Sequence, residues 1–469
     1  MGSVPSLLLY FFLSLLFPFT TSITIPLRPT NQNPPPQDPY QRLNHLVSTS
    51  LTRAHHLRNP RPTTTTTTPL FSRSYGGYSI SLSFGTPPQS HLSFVMDTGS
   101  DFVWFPCTNH YLCKSCPFSP TSSKIQSFLP KLSSSSKIIG CKNPKCSWVH
   151  HEQVNCQECN NNASKNCTQI CPPYLILYGS GTTGGIAISE TLHLHDLTVQ
   201  NFLAGCSVVS SHQPSGIAGF GRGPASLPSQ LNLTKFSYCL ISHKFDDVAG
   251  KSSSMILHSD HSGSDKKTAG LQYTPFVNVK PEDDDGDNHP FSVYYYLSLR
   301  RISVGGNRVK IPYKYLSPGS DGNGGTIIDS GTTFTFMARE VFEALSNEFI
   351  AQVKGYKRAV QVEALTGLRP CFNVSSSTSS PGGGDGALSF PELRLHFKGG
   401  AEVALPVENY FAFVDDGVAC LTVVTDGPAG PEREAASGPG IILGNFQMQN
   451  FYVEYDLRNE RLGFKKQKC

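Results

Sequence analysis

The 469-residue sequence has no cysteine before Cys107, no lysine between Ile23 and Leu70, and only one long apolar run. Each gap excludes something. That run, Leu7 to Phe19, is thirteen residues and too short to span a bilayer comfortably. With Thr20, Thr21 and Ser22 behind it, residues 1–22 read as a signal peptide, preferred over a buried N-terminal helix although no basic residue precedes the run. No other stretch reaches transmembrane length, and the end, RLGFKKQKC, is no GPI signal. No membrane anchor is therefore expected. Sustained helical periods are also scarce, whereas 35 Pro and 41 Gly punctuate short apolar runs, which favours a mostly β chain. The clearest helix lies at Arg339–Val353.

An excess of charge of either sign is missing from the body. Residues 23–70 hold five arginines against one acid, Asp38, for a net +4, and this equals the net charge of the whole chain. The remainder is neutral, so no basic surface for nucleic acid is expected. The basic stretch ends in RNPRPTTTTTTPL, which cannot build a core, and residues 23–70 read as a prosegment plus linker. Its histidines, His45, His55 and His56, offer groups that acid would charge, but are read as unstructured surface in preference. Ordered sequence is expected from YGGYSISLSFGTPPQ near Tyr75, and DDVAGKSSSM, HSDHSGSDKK, PEDDDGDNHP and SSSTSSPGGGDGA read as loops. The acidic run lacks the Glu of an EF-hand loop.

Fourteen cysteines are present: Cys107, Cys113, Cys116, Cys141, Cys146, Cys156, Cys159, Cys167, Cys171, Cys206, Cys239, Cys371, Cys420 and Cys469. The even count, the leader and the sequons at Asn162, Asn166, Asn232 and Asn373 fit an oxidising secretory compartment and disulfides. On spacing alone, Cys113-x-x-Cys116 and Cys156-x-x-Cys159 would also suit zinc, which the same context disfavours, and no metal is assigned. Nine of the fourteen fall between Trp104 and Tyr178; nine is odd, so at least one pairs outside that segment or stays free.

The chain also repeats itself. Asp97 in VMDTGS and Asp329 in IIDSGT share one pattern: two apolar residues, Asp, a hydroxyl residue, Gly, another hydroxyl residue. Gly219 of GIAGF follows the first by 122 residues and Gly444 of IILGN the second by 115. A carboxylate set among apolar residues needs a partner. Each Asp-Thr/Ser-Gly is expected to form a tight turn at a strand end, with Gly99 and Gly331 allowing close approach and the second-position hydroxyl bonding within the turn. Two such halves about a pseudo-twofold axis would bring the two carboxylates together, and like charges that close share one proton at acidic pH. One carboxylate then takes a proton from water while the other gives one to the scissile carbonyl, with no cofactor, metal or covalent intermediate.

From about Tyr75 to Phe464 the sequence resembles the pepsin-like aspartic proteases, specifically the plant nepenthesin-type branch. The motifs are FGTPPQ, DTGSDFVWFPC, YGSGTTGG, GIAGFGRGPASLPSQL, FSYCL, IIDSGTTFTF, FPELRLHF with GGAEVALP, and ILGNFQMQNFYVEYD with RLGF. The resemblance implies a bilobal fold of two pseudo-twofold-related β lobes with a central cleft, divided as 71–240 and 241–469, and a Cys-rich insertion at about 105–175. It implies Asp97 and Asp329 as the catalytic dyad, and Ser100 and Thr332 as donors to the outer carboxylate oxygens. It implies Tyr178, Gly179 and Ser180 as the tip of a flap, where relatives often carry Asp in place of Ser180. Trp104 would anchor the flap tyrosine, and Cys371–Cys420 would be a C-lobe disulfide. The implied protein is a secreted or vacuolar monomer acting on protein or peptide substrates, with apolar residues flanking the bond. Its basic prosegment would be held over the acidic cleft and released by acid. The competing expectation is a pepsin-fold binding protein or glycosidase inhibitor without activity.

Overall fold

The computed structural model describes residues 22–29, 38–58, 76–116, 125–150, 154–159, 167–178, 181–195, 197–213, 215–242, 252–259, 267–279, 291–320, 322–374, 389–414, 417–426 and 438–469. The leader through residue 21, Asn162, Asn166, Gly179, Ser180, the Thr-rich linker and most of the expected loops lie outside them.

The repeat seen in the sequence is a repeat of strands. Leu92–Asp97 alternates only at its start and is then buried through Asp97, as a strand covered on both faces must be. It pairs in parallel with Gly216–Gly219, which sets Gly219 opposite Asp97. In the second half Thr326–Ile328 pairs in parallel with Ile441–Leu443, with Ile328 opposite Leu443. Each Asp thus leaves a buried strand at the same place beside a parallel neighbour, which ends on Gly219 in the first half and is followed by Gly444 in the second. The lobes are joined by antiparallel strands in which Lys235–Cys239 lies between Ser253–His258 and Phe451–Asp456. The fold is mostly β and bilobal.

The helix expected at Arg339–Val353 runs from Arg339 to Gln352, with Val341, Phe342, Leu345 and Phe349 buried at helical spacing. All fourteen cysteines are paired. Four bridges close within the insertion: Cys113–Cys116, Cys141–Cys156, Cys146–Cys171 and Cys159–Cys167. The odd ninth cysteine, Cys107, pairs outside it with Cys206. Cys239–Cys469 and Cys371–Cys420 complete the set. Neither Cys-x-x-Cys pair is left to bind zinc. Among the described residues no helix is long and apolar enough to cross a membrane.

The N-terminal segment departs most from expectation. Ser22–Pro29 is a strand, antiparallel to Ser253–His258 and, at Arg28 and Pro29, to Tyr78 and Ser79. It begins on Ser22, the residue that the sequence placed last in the leader. Pro39–Arg58 is a 20-residue helix rather than a featureless tail. Leu43, Leu46, Val47, Ala54 and Leu57 form its apolar stripe and pack into a cluster with Tyr294, Ile327, Phe336 and Leu368 of the C-terminal lobe. The stripe is sparse and, among the described residues, has no partner within its own segment, so composition hid it. The histidines belong to this helix, and His56, read as unstructured surface, is half-buried beside the flap tyrosine, with ring centroids 6.3 Å apart.

Candidate active site

Asp97 and Asp329 meet at the interlobe axis, 2% and 0% exposed. Each turn supplies its own carboxylate with two donors. The Gly99 and Gly331 N–H groups donate to Oδ1 of Asp97 and Asp329 at 3.0 and 2.9 Å. The Ser100 and Thr332 hydroxyls donate to the respective Oδ2 atoms, both at 2.6 Å. The glycines are required by crowding from the opposite turn. A Cβ on Gly99 would stand 2.7 Å from Asp329 Oδ1, and one on Gly331 would stand 2.5 Å from Asp97 Oδ1.

The middle hydroxyls do something the sequence did not suggest. Thr98 and Ser330 bond across the axis instead of within their own turns. Thr98 N donates to Ser330 Oγ at 3.0 Å and Ser330 N to Thr98 Oγ1 at 2.9 Å. Ser330 Oγ donates on to the Met96 carbonyl at 3.0 Å. These reciprocal bonds fix one turn against the other, so both carboxylates are held by the same rigid unit.

Beside the two carboxylates stands the hairpin that the resemblance reads as a flap, Tyr174–Tyr178 paired antiparallel with Gly181–Leu194. Trp104 Nε1 donates to the Tyr178 hydroxyl at 2.8 Å. Trp104 is also fully buried, so it both packs the lobe and anchors the flap. Burial first, then the nearby Asp97 charge, raises the Tyr178 phenol and keeps it neutral.

The cleft is occupied by the N-terminal helix. Arg53, itself buried, bridges the dyad: Nε lies 3.1 Å from Asp329 Oδ2 and an Nη atom 2.6 Å from Asp97 Oδ1. Burial disfavours this guanidinium, but Asp329 and Asp97 outweigh it and hold it charged. The two carboxyls respond differently. Burial raises Asp97, with the Asp329 charge adding to it and Arg53 opposing. Burial also works to raise Asp329, but Arg53 and the Thr332 hydroxyl reverse the sign and hold it below the usual carboxylate range. Among the described residues, Arg53 makes the basic contact with both carboxylates. Proximity in sequence could not have selected Arg53 from the five.

The same stretch carries a second buried carboxylate, Asp101. It is 4% exposed, and its Oδ1 accepts the Gly223 N–H at 3.0 Å. Its Oδ2 has no hydrogen-bond partner among the described residues. A Cβ on Gly223 would strike that oxygen, so GRG of GFGRGP shapes the seat. Burial, aided by Asp97, pushes Asp101 up to about 7. The folded chain therefore keeps a proton here that the unfolded chain, near 3.8, has given up. Stability from this proton is full below about pH 4 and is lost as pH rises to about 7, a change of about 4 kcal/mol. Urea unfolding of D101N at pH 4 and pH 8 should show a correspondingly smaller fall; an undiminished fall would remove Asp101 from the account.

Two-lobed β architecture with twin Asp-Ser/Thr-Gly turns at the interlobe axis defines the pepsin-like aspartic protease fold. Family models described as xylanase inhibitor N-terminal and xylanase inhibitor C-terminal match residues 78–257 and 294–466. A probable aspartyl protease of Arabidopsis thaliana is 34% identical over 84% of this chain and 82% of its own. Aspartic proteinase nepenthesin-1 of Nepenthes gracilis is 32% identical over 84% and 78%. Two solved structures agree in fold: edgp, with TM-score 0.62 at 19% identity over 96% of this chain and 95% of its own, and soybean basic 7S globulin, with TM-score 0.59 at 17% identity over 96% and 98%. The chain belongs to the nepenthesin-type plant branch of the pepsin-like aspartic proteases.

Proposed function

We propose that the protein is an aspartic endopeptidase working at acidic pH, with Asp97 and Asp329 as its dyad. The observation that carries this reading is the full set of dyad donors beneath a Trp104-anchored Tyr178. One carboxylate takes a proton from the attacking water while its neighbour, neutral, donates to the carbonyl oxygen. Burial and mutual repulsion keep one proton on the pair over an acidic range.

We further read the chain as a zymogen: leader 1–22, prosegment and linker 23–70, and lobes 71–240 and 241–469. Arg53 fills the place of the attacking water, and cleavage between Arg58 and Gly76 would free the cleft. Seven disulfides and exposed sequons at Asn232 and Asn373 support a secreted or vacuolar location. Since one chain supplies both carboxylates, a monomer suffices.

The inactive, binding-protein reading draws on the names of the matching family models and of soybean basic 7S globulin. Against it stands Arg53, a cation placed across the dyad of a chain that would have nothing there to restrain. The test is acidification of the purified precursor followed by cleavage of a denatured protein at roughly pH 3–5, with and without a pepstatin-type transition-state analogue. Analogue-sensitive cleavage is expected. Its absence after the N-terminal segment is removed would favour the binding protein.

A further inference from the structure

The last residue of the N-terminal helix, Arg58, is as deliberately seated as Arg53. Its side chain is only 5% exposed, and an Nη atom donates to Asp426 Oδ2 at 2.7 Å. Its guanidinium lies 4.9 Å from the centroid of the Phe336 ring. His55 Nε2 lies 3.1 Å from Asp426 Oδ1. The backbone of Arg58 packs so tightly on Gly438 that a Cβ there would come within 2.5 Å of Arg58 Cα.

Both receiving side chains belong to the frame of the catalytic turn. Phe336 lies on Thr335–Met337, opposite Ile442 on one side and Val424 on the other. Asp426 follows the strand Val423–Val424 by two residues. Among the described residues, the basic side chains paired with Asp426 both come from the helix, Arg58 and His55. Removing the helix leaves this carboxylate beside an aromatic face with no cation from the described residues of the lobes.

We infer that Asp426 and Phe336 form a cation-accepting subsite of the substrate cleft, occupied here by Arg58 and in the processed enzyme by an arginine or lysine side chain of the substrate. The inference rests on the endopeptidase reading and sharpens its substrate class, because relatedness alone led to an expectation of apolar residues around the bond. The site suits arginine better than lysine: a planar guanidinium can lie on the ring while its edge bonds the carboxylate. Position follows from the helix. Five residues separate Arg53, on the dyad, from Arg58, a rise of about 7.5 Å. An extended substrate covers that distance in about two residues. The preferred basic residue should therefore sit two or three residues from the scissile bond, on the side where Asp426 lies.

The experiment compares peptides that differ by arginine against citrulline, its neutral near-isostere, walked from three residues before to three after the bond. Cleavage by the acid-processed enzyme is read as kcat/KM. At one position, two or three residues from the bond, arginine should exceed citrulline about tenfold or more, as a hydrogen-bonded charge pair would give. In D426N that ratio should fall to about one. Equal cleavage of both series at every position overturns the subsite, as does an arginine preference that survives D426N. The wild-type comparison needs no variant, so a D426N chain that failed to fold would not rescue or hide the result. Wild-type enzyme that cleaves none of the peptides, nor denatured protein, overturns the endopeptidase reading itself.

Discussion

Precursor carrying Arg53→Ala should bind a pepstatin-type analogue and shorten itself near pH 6, where wild-type precursor does neither. Arg53 is the cation between two carboxylates that are almost wholly buried. Removing one partner of such a cluster leaves charge buried without compensation, at a cost of about 3–5 kcal/mol. The closed-to-open ratio would fall by about two to four orders of magnitude. The helix keeps its apolar stripe and its Asn44-to-Leu365, Phe334-to-Ser50 and Arg58-to-Asp426 hydrogen bonds, so it should loosen rather than unfold the lobes.

The pH sense of this latch follows from the two groups that it depresses. In the closed form burial, then the Arg53 cation, lower His56 from 6.5 to about 3. Arg53 also holds Asp329 below its usual range despite burial. The closed form thus binds fewer protons than the open one. Closure is fully favourable above about pH 6.5 and is lost as pH falls, first through His56 and then, below about pH 4, through Asp329. Arg53→Lys should keep part of the hold, because a single ammonium cannot span both carboxylates as the guanidinium does. An Arg53→Ala precursor that stays closed to the analogue near pH 6 would remove Arg53 from the latch.

For Asp97→Asn, kcat on denatured protein should fall by about 10⁴, because a carboxamide can neither take a proton from water nor hold one for the carbonyl. The substituted side chain occupies the same volume at a position 2% exposed, so packing is retained. Its amide must face either the Gly99 N–H or the Ser100 hydroxyl, both of which donate to Asp97, so a modest loss of stability accompanies the loss of rate. The variant precursor could not shorten itself and would be matured by added wild-type enzyme. Substituting Asp329 should give the same loss, since each carboxylate is half of one proton-sharing pair. Analogue-sensitive activity within tenfold of wild type would rule out Asp97 as a member of the dyad.

Much of the site was legible because its parts are local. Asp97 with Gly99 and Ser100, and Asp329 with Gly331 and Thr332, each make their turn and donor set within four residues. The parallel strands behind them announced themselves through a repeated order of apolar-Gly elements. Arg339–Gln352 was readable because its apolar residues recur at helical spacing over several turns. The odd count of insertion cysteines already required a bond outside the segment or a free thiol, and Cys107–Cys206 is that bond.

Other features were illegible because their partners are remote. The stripe of Pro39–Arg58 looks too poor in apolar residues until Tyr294, Phe336 and Leu368 supply its other half. Thr98 and Ser330 look like ordinary turn hydroxyls, and only the facing turn, 232 residues away, sends their bonds across the axis. Asp101 resembles a solvated neighbour of Asp97 until Gly223 closes over it.

The sequence by itself determined the β class, the twin aspartate turns, the family and a basic N-terminal segment, because strand pattern, turn chemistry and net charge are properties of contiguous residues. Tertiary structure alone decided that Arg53 sits on the two carboxylates, that Arg58 meets Asp426, and that His56 is half-buried beside Tyr178. Burial and charge pairing depend on what the rest of the chain brings within a few ångströms, and no spacing along the chain encodes that.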